Sequence, residues 1–173
     1  MKRSIAGSDL RRISTLSAVL LILVALLGVQ LLMGSQFADA RQLREEANRI
    51  IQNRANLAEL LELHLEAETG VRGFVLTASE SFIGPYTAAV NRRESIFRAL
   101  EATGEPSTVA RIPELQRLSD LKLANAAAQV REVRAGAIEA ARERVRSGEG
   151  NEFMIAIRSR IAEADRLEAA TLV

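Results

Sequence analysis

From Ile13 to Met33 the chain carries no charged side chain, and the charge-free window continues through Ala38. At about 1.5 Å per helical residue that run is roughly 30 Å long, the thickness of a bilayer's hydrocarbon core. No second run of this kind follows. The run therefore predicts one transmembrane helix over 13–33, with everything after it displayed on one side of the membrane. Of 23 basic and 22 acidic residues, four and one precede the run, so 19 and 21 follow it. The leading cluster is Lys2, Arg3, Arg11 and Arg12, opposed only by Asp9. Basic residues beside a membrane helix tend to stay in the cytoplasm, which places residues 1–12 inside and 34–173 outside. A cleaved signal peptide is the rival reading, since Ala38-Asp39-Ala40 has the small-x-small form of a cleavage site. The apolar run is long for a signal core, which favours an uncleaved anchor in the inner membrane and a periplasmic or extracellular domain.

The exported part is nearly balanced in charge and offers no basic stripe for nucleic acid. There are no cysteines, so disulfides, thiol chemistry and cysteine-based zinc sites are excluded. Apolar positions follow a helical period almost throughout. Leu43, Ala47, Ile50, Leu57, Leu61, Val71 and Val75 form one stripe, with Arg54, His64 and Glu68 at intermediate steps. That helix ends near Thr77-Ala78-Ser79-Glu80, where Thr77 and Glu80 have capping-box spacing. Tyr86, Ala89, Val90, Arg93, Ile96, Phe97 and Leu100 mark a second helix, with Pro85 tolerable only near its start. A third runs from about Ile112 through Leu115, Leu118, Leu121, Ala126, Val130, Val133 and Ala137 to Val145, with Pro113 in its first turns. After Ser147-Gly148-Glu149-Gly150, Asn151 is placed to cap a last helix carrying Met154, Ile157, Ile161, Ala164 and Leu167. The expected fold is all-α: a transmembrane helix followed by an antiparallel, up-and-down four-helix bundle.

No catalytic constellation is present. His64 is the sole histidine, its neighbours do not form a zinc-hydrolase motif, and no glycine loop cradles phosphate. A lone histidine on a helical stripe reads first as a packed structural residue. The unusual stretch is Glu66-Ala67-Glu68-Thr69-Gly70-Val71-Arg72-Gly73. Two glycines inside a helix cost about 1 kcal/mol each relative to Ala, and fit where another helix approaches closely. Glu68 and Arg72 have the favourable i, i+4 order. The sequence leaves open whether they form a partly buried switching pair or a surface ion pair beside a packing notch.

The run E-A-E-T-G-V-R-G-F-V-L-T-A-S-E-S-F-I-G-P-Y, Glu66 to Tyr86, closely resembles the signature of the third type of CHASE domain, a sensory module outside the membrane in bacterial receptors. Glu66, Ala67, Glu68, Thr69, Gly70, Arg72, Gly73, Phe74, Leu76, Thr77, Pro85 and Tyr86 match it. The later Ser147-Gly148-Glu149-Gly150, Ile157-Arg158, Ile161 and Glu168 resemble the family's final turn and helix. Ala78 stands where a glycine is common, Gly84 where a larger polar residue is frequent, and Pro113 is atypical. The resemblance implies a four-helix bundle feeding a histidine kinase, diguanylate cyclase or chemoreceptor. Glu66, Glu68, Thr69, Gly70, Arg72, Gly73, Pro85 and Tyr86 become the signalling candidates.

No kinase or cyclase motif appears in the sequence. At 1.5 Å per residue, 151–173 gives a helix of about 35 Å against about 65 Å for 34–76. The expectation is the input half of a two-component-type receptor, with its output domain absent. It would be non-enzymatic and without cofactor, anchored at the membrane as a homodimer, with an unidentified small-molecule or protein stimulus. The alternative is a helical interaction or structural protein at the membrane.

Overall fold

The computed structural model describes the backbone of residues 6–170 and the side chains of residues 20–30 and 40–170. Among these residues every regular element is helical. They are α1 (Ala6–Thr77), a 3-10 turn (Glu80–Phe82), α2 (Gly84–Thr103), α3 (Pro106–Val109), α4 (Ile112–Arg134), α5 (Ile138–Arg146) and α6 (Glu149–Ala170). The chain divides into residues 1–46 and 47–173.

In the first unit, Leu20 to Leu23, Val24, Leu26, Leu27 and Val29 are exposed apolar side chains on α1. Among the described residues no helix is long and apolar enough to cross a membrane. Part of the expected 13–33 span, namely the side chains of 13–19 and 31–33, lies outside the described residues, as do the leading cations Lys2, Arg3, Arg11 and Arg12.

The second unit buries two apolar clusters. Leu57, Leu60, Leu63, Ile96, Phe97, Leu100, Leu115, Met154, Ile157 and Ile161 belong to the larger. Val71, Phe74, Val75, Ile83, Ala126, Val130, Val133 and Ala141 form the smaller, and Tyr86 packs against both. Side-chain contacts give the register. Asn53 of α1 donates to the Thr103 carbonyl at the end of α2 (2.8 Å), whereas Gly70 meets Pro85 at its start. Arg54 pairs with Asp165 late in α6 (2.7 Å). His64 and Glu68 meet Ser119 and Lys122 of α4 in ascending order.

The expected stripes hold for α1, α2 and α6 with local exceptions. Leu43 is 67% exposed, and Val90 and Leu121 are also exposed. Leu43 precedes Ile50, the first buried residue of α1 among those described, while Val90 and Leu121 adjoin the buried Ala89 and Lys122. Arg54 is exposed rather than part of the buried stripe. Asn53, one residue earlier, is fully buried in its place.

Three corrections concern ends. Thr77 does not begin the next helix: it is the last residue of α1, and its Oγ1 donates back to the Gly73 carbonyl (2.8 Å) while accepting from the Ser79 N–H (3.2 Å). The third helix of the sequence reading is two helices. Gly136 has φ +78°, its N–H donates to the Val133 carbonyl (3.0 Å), and the Ala137 N–H donates to Glu132 (2.8 Å). That pair of bonds is a Schellman stop, which a left-handed glycine closes without steric cost. Asn151 is not a cap either, because α6 already begins at Glu149 and the Gly148 carbonyl accepts from the N–H groups of Asn151 and Glu152. Pro113 sits in the first turn of α4 as expected, where no intrahelical N–H is required.

Ala78, just after α1, has φ +54°, a left-handed conformation that strains a β-carbon. Ala78→Gly is expected to stabilise the protein by about 0.5–1 kcal/mol, the strain relieved outweighing the added chain entropy. A urea denaturation midpoint that falls instead would show the strain to be negligible.

Candidate functional site

A line of polar residues runs along the buried face of α4. Ser119, Lys122, Asn125 and Gln129 recur at steps of three, three and four, so all four point the same way, and all are buried. Each has found a partner. The Ser119 hydroxyl and His64 Nε2 lie 2.9 Å apart. Asn125 Nδ2 donates to Glu149 (2.9 Å), and Gln129 Nε2 donates to Asn125 Oδ1 (2.8 Å).

Lys122, 5% exposed, is the junction. Its ammonium donates to Glu68 Oε2 of α1 (2.9 Å) and to the Gly150 carbonyl in the first turn of α6 (2.8 Å). The other oxygen of Glu68 takes Arg72 at 2.7 Å. One carboxylate and one ammonium thus tie α1, α4 and α6 at a single point. Burial pushes the Lys122 ammonium below its ordinary pKa; Glu68 opposes that, while Arg72 and Arg158 add to it. A β-carbon on Gly150 would stand 3.1 Å from Asn125 Oδ1 and 3.4 Å from Lys122 Nζ, so the junction needs a small residue there. The cleft around it has a volume of about 20 Å³, room for a water molecule and no more.

His64 lies one turn before Glu68 and is 1% exposed. Its pKa is lowered to about 4, first by burial and then by the charges of Lys122 and Arg93. The ring is neutral at pH 7, and its Nδ1 is buried without a hydrogen-bond partner. Near the end of α6, Glu168 is fully buried. Its carboxylate accepts from the Glu105 backbone N–H (3.0 Å) and from Asn53 Nδ2 (3.4 Å), fixing the last turns of α6 against α1 and the start of α3.

The structure separates the sequence candidates into three groups. Glu68 and Arg72 join Lys122. Gly70, Gly73 and Pro85 pack the connection after α1, and Tyr86 is half-buried beside them. Glu66 and Thr69 face solvent, with Thr69 Oγ1 donating to the Leu65 carbonyl (2.9 Å). The glycine pair admits the 3-10 turn most closely, and at Gly70 also Pro85 in the first turn of α2. A β-carbon at Gly70 would lie 2.5 Å from the Phe82 carbonyl oxygen, and one at Gly73 would lie 2.5 Å from the Phe82 ring. Backbone yields less readily than an exposed ring. Gly70→Ala is therefore expected to cost about 1–3 kcal/mol, whereas Gly73→Ala stays near neutral because Ala's helix propensity returns about 1 kcal/mol. Equal losses of unfolding free energy for the two variants would contradict this packing.

Lys122 escaped the sequence reading, although Ser119, Lys122, Asn125 and Gln129 carry the signal in their spacing. Among the described residues no group of three or more His, Asp or Glu side chains is placed to hold a metal ion.

A family model for the CHASE3 domain matches residues 43–173, well over half of the 173-residue chain. The chain belongs to the CHASE3 family. CHASE3 domains are extracellular sensory domains of signalling receptors, so the Glu68–Lys122 junction lies inside a sensor fold. No curated protein and no solved structure matches the chain.

Proposed function

We propose that this CHASE3 chain is the membrane-anchored, extracytoplasmic input module of a bacterial receptor. Residues 13–33 cross the inner membrane with the basic N-terminus in the cytoplasm, and residues 34–173 form a periplasmic, antiparallel up-and-down four-helix bundle. The absence of charge from Ile13 to Met33 supports the anchor. The register of contacts along α1 supports the bundle: Asn53 and Arg54 meet the ends of α2 and α6, and Gly70, further along, meets the start of α2. The module acts as a homodimer and performs no catalysis.

The observation that carries the mechanism is the three-helix junction at Lys122. A stimulus that changes which partner holds the ammonium shifts α6 along α1, because Gly150 and Glu68 are bound through the same nitrogen. Packed helices respond to such a change by discrete sliding, not by continuous bending. Two results test this reading. Alkaline phosphatase fused after residue 170 is active in the periplasm if the topology is right, and inactive if residues 34–173 face the cytoplasm. In a receptor fusion, Glu68→Ala alters basal output; unchanged basal output and unchanged stimulus response would refute a signalling role for the junction.

A further inference from the structure

His64 sits where α1 packs against α4, one turn before Glu68 and the Lys122 junction, and is almost fully buried. One ring nitrogen is served: Nε2 lies 2.9 Å from the Ser119 hydroxyl of α4. The other, Nδ1, is buried with no hydrogen-bond partner. A neutral ring carries a single N–H, which Ser119 can satisfy, and its second nitrogen is a bare acceptor. In an imidazolium both nitrogens carry a proton, so one N–H is left buried without an acceptor. We propose that the proton is a stimulus of this module: acid protonates His64 and opens the packing of α4 against α1 beside the Lys122 junction. The inference deepens the input-module reading and rests on it, because a domain outside the cytoplasm meets the acidity of the surroundings directly.

Every helix around the ring is set against a positive charge there. Lys122 of α4 and Arg93 of α2 act on it with the same sign. The carboxylates of this region are committed to other cations: Glu68 to Lys122 and Arg72, and Asp120 to Arg93. Glu62 and Glu66, two positions to either side on α1, are exposed on the other face of that helix. From α6, Met154, Ile157 and Ile161 enter the neighbouring core, and Arg158 adds positive charge at Lys122. Burial first, then Lys122 and Arg93, lower the pKa of the packed ring from 6.5 to about 4, whereas a solvated ring keeps its ordinary value. The proton therefore binds the opened arrangement more tightly, and a ligand shifts an equilibrium by its differential affinity. Acid raises the ratio of opened to packed protein by about 30-fold at pH 5 and about 300-fold well below pH 4. Ser119 and Lys122 lie three apart on one face of α4, so opening at His64 reaches the ammonium that holds Glu68 and Gly150.

The test follows two signals from pH 8 to pH 4 on the full chain in nanodiscs. Because His64 is the only histidine, isotope-labelled histidine reports its protonation by NMR without assignment. Spin labels on cysteines introduced at the exposed Ala58 of α1 and Ala124 of α4 report how the two helices lie. The expected result is a distance change with the same midpoint as ring protonation, while circular dichroism shows the helices intact. In His64→Gln, which keeps a neutral hydrogen-bonding side chain, the distance should stay constant across the range. Three results would overturn the proposal: a constant distance while the ring protonates, an equal change in His64→Gln, or protonation only as helix is lost. The paired midpoints need only the native His64, so they decide the matter even if His64→Gln folds poorly. Both signals are read on the module alone, so their failure strikes proton sensing and leaves the input-module reading standing. That reading fails separately, on the alkaline phosphatase fusion.

Discussion

Glu68→Ala is expected to lower the unfolding free energy by about 3 kcal/mol, the scale seen when one member of a buried ion pair is removed. Lys122 would remain in its buried position with only the Gly150 carbonyl to receive its protons. Two companion measurements separate this cause from simple loss of packing. Adding Lys122→Met to Glu68→Ala should recover much of the loss, because the orphaned charge is gone; a double-mutant cycle should show coupling of about 1–3 kcal/mol. The loss should also shrink at alkaline pH. Burial already lowers the Lys122 pKa in the folded protein, and without Glu68 nothing opposes it from α1. Between that lowered value and the ordinary 10.5 of the unfolded chain, the unfolded state binds more protons, so stability rises with pH. A loss independent of pH, with additive single variants, would mean that the pair is a surface contact in energetic terms.

Acid should destabilise the protein through His64. The folded ring has its pKa lowered from 6.5 to about 4, while the unfolded chain retains the ordinary value. Its stabilisation is complete above pH 6.5 and is lost as pH falls through that window. The linkage amounts to about 2 kcal/mol by pH 5 and about 3 kcal/mol at pH 4 and below. His64 is the only histidine, and carboxylates such as Glu80, Glu132 and Glu163 are held below their ordinary 4.5 by arginine partners. Loss between pH 6.5 and pH 5 therefore reports on His64. Urea denaturation across that range should show the decline in the unsubstituted protein and a flat profile in His64→Leu. A decline of the same size in His64→Leu would assign it to another group.

Much of the helical framework was legible because apolar periodicity and proline chemistry are local properties. Pro85 and Pro113 fall in first turns, as their missing N–H requires. Gly136 was overlooked because apolar spacing continues on both sides of it; only its left-handed conformation reveals the stop between α4 and α5. The glycine pair signalled a close approach correctly, but not that Phe82, a residue of the connection itself, makes it. For the site, Glu68 and Arg72 were recognisable from spacing and family resemblance. Lys122 was not, since a lysine on a helix is ordinarily a solvated residue and its burial depends on Glu68, 54 positions away. Asn53 and Glu168, 115 positions apart, were hidden for the same reason: each is tolerable inside only because the other side of the fold supplies a polar partner.

The most direct measurement is a spin–spin distance between α1 and α6, with cysteines introduced at exposed Ala55 and Ser159. The chain has no native cysteine, so labelling is specific, and dilution with unlabelled protein isolates distances within one copy. A single narrow distribution in the unsubstituted chain, shifted or broadened by Glu68→Ala, is the expected result. An unchanged distribution in the variant would contradict the claim that the Lys122 junction sets how α6 lies against α1.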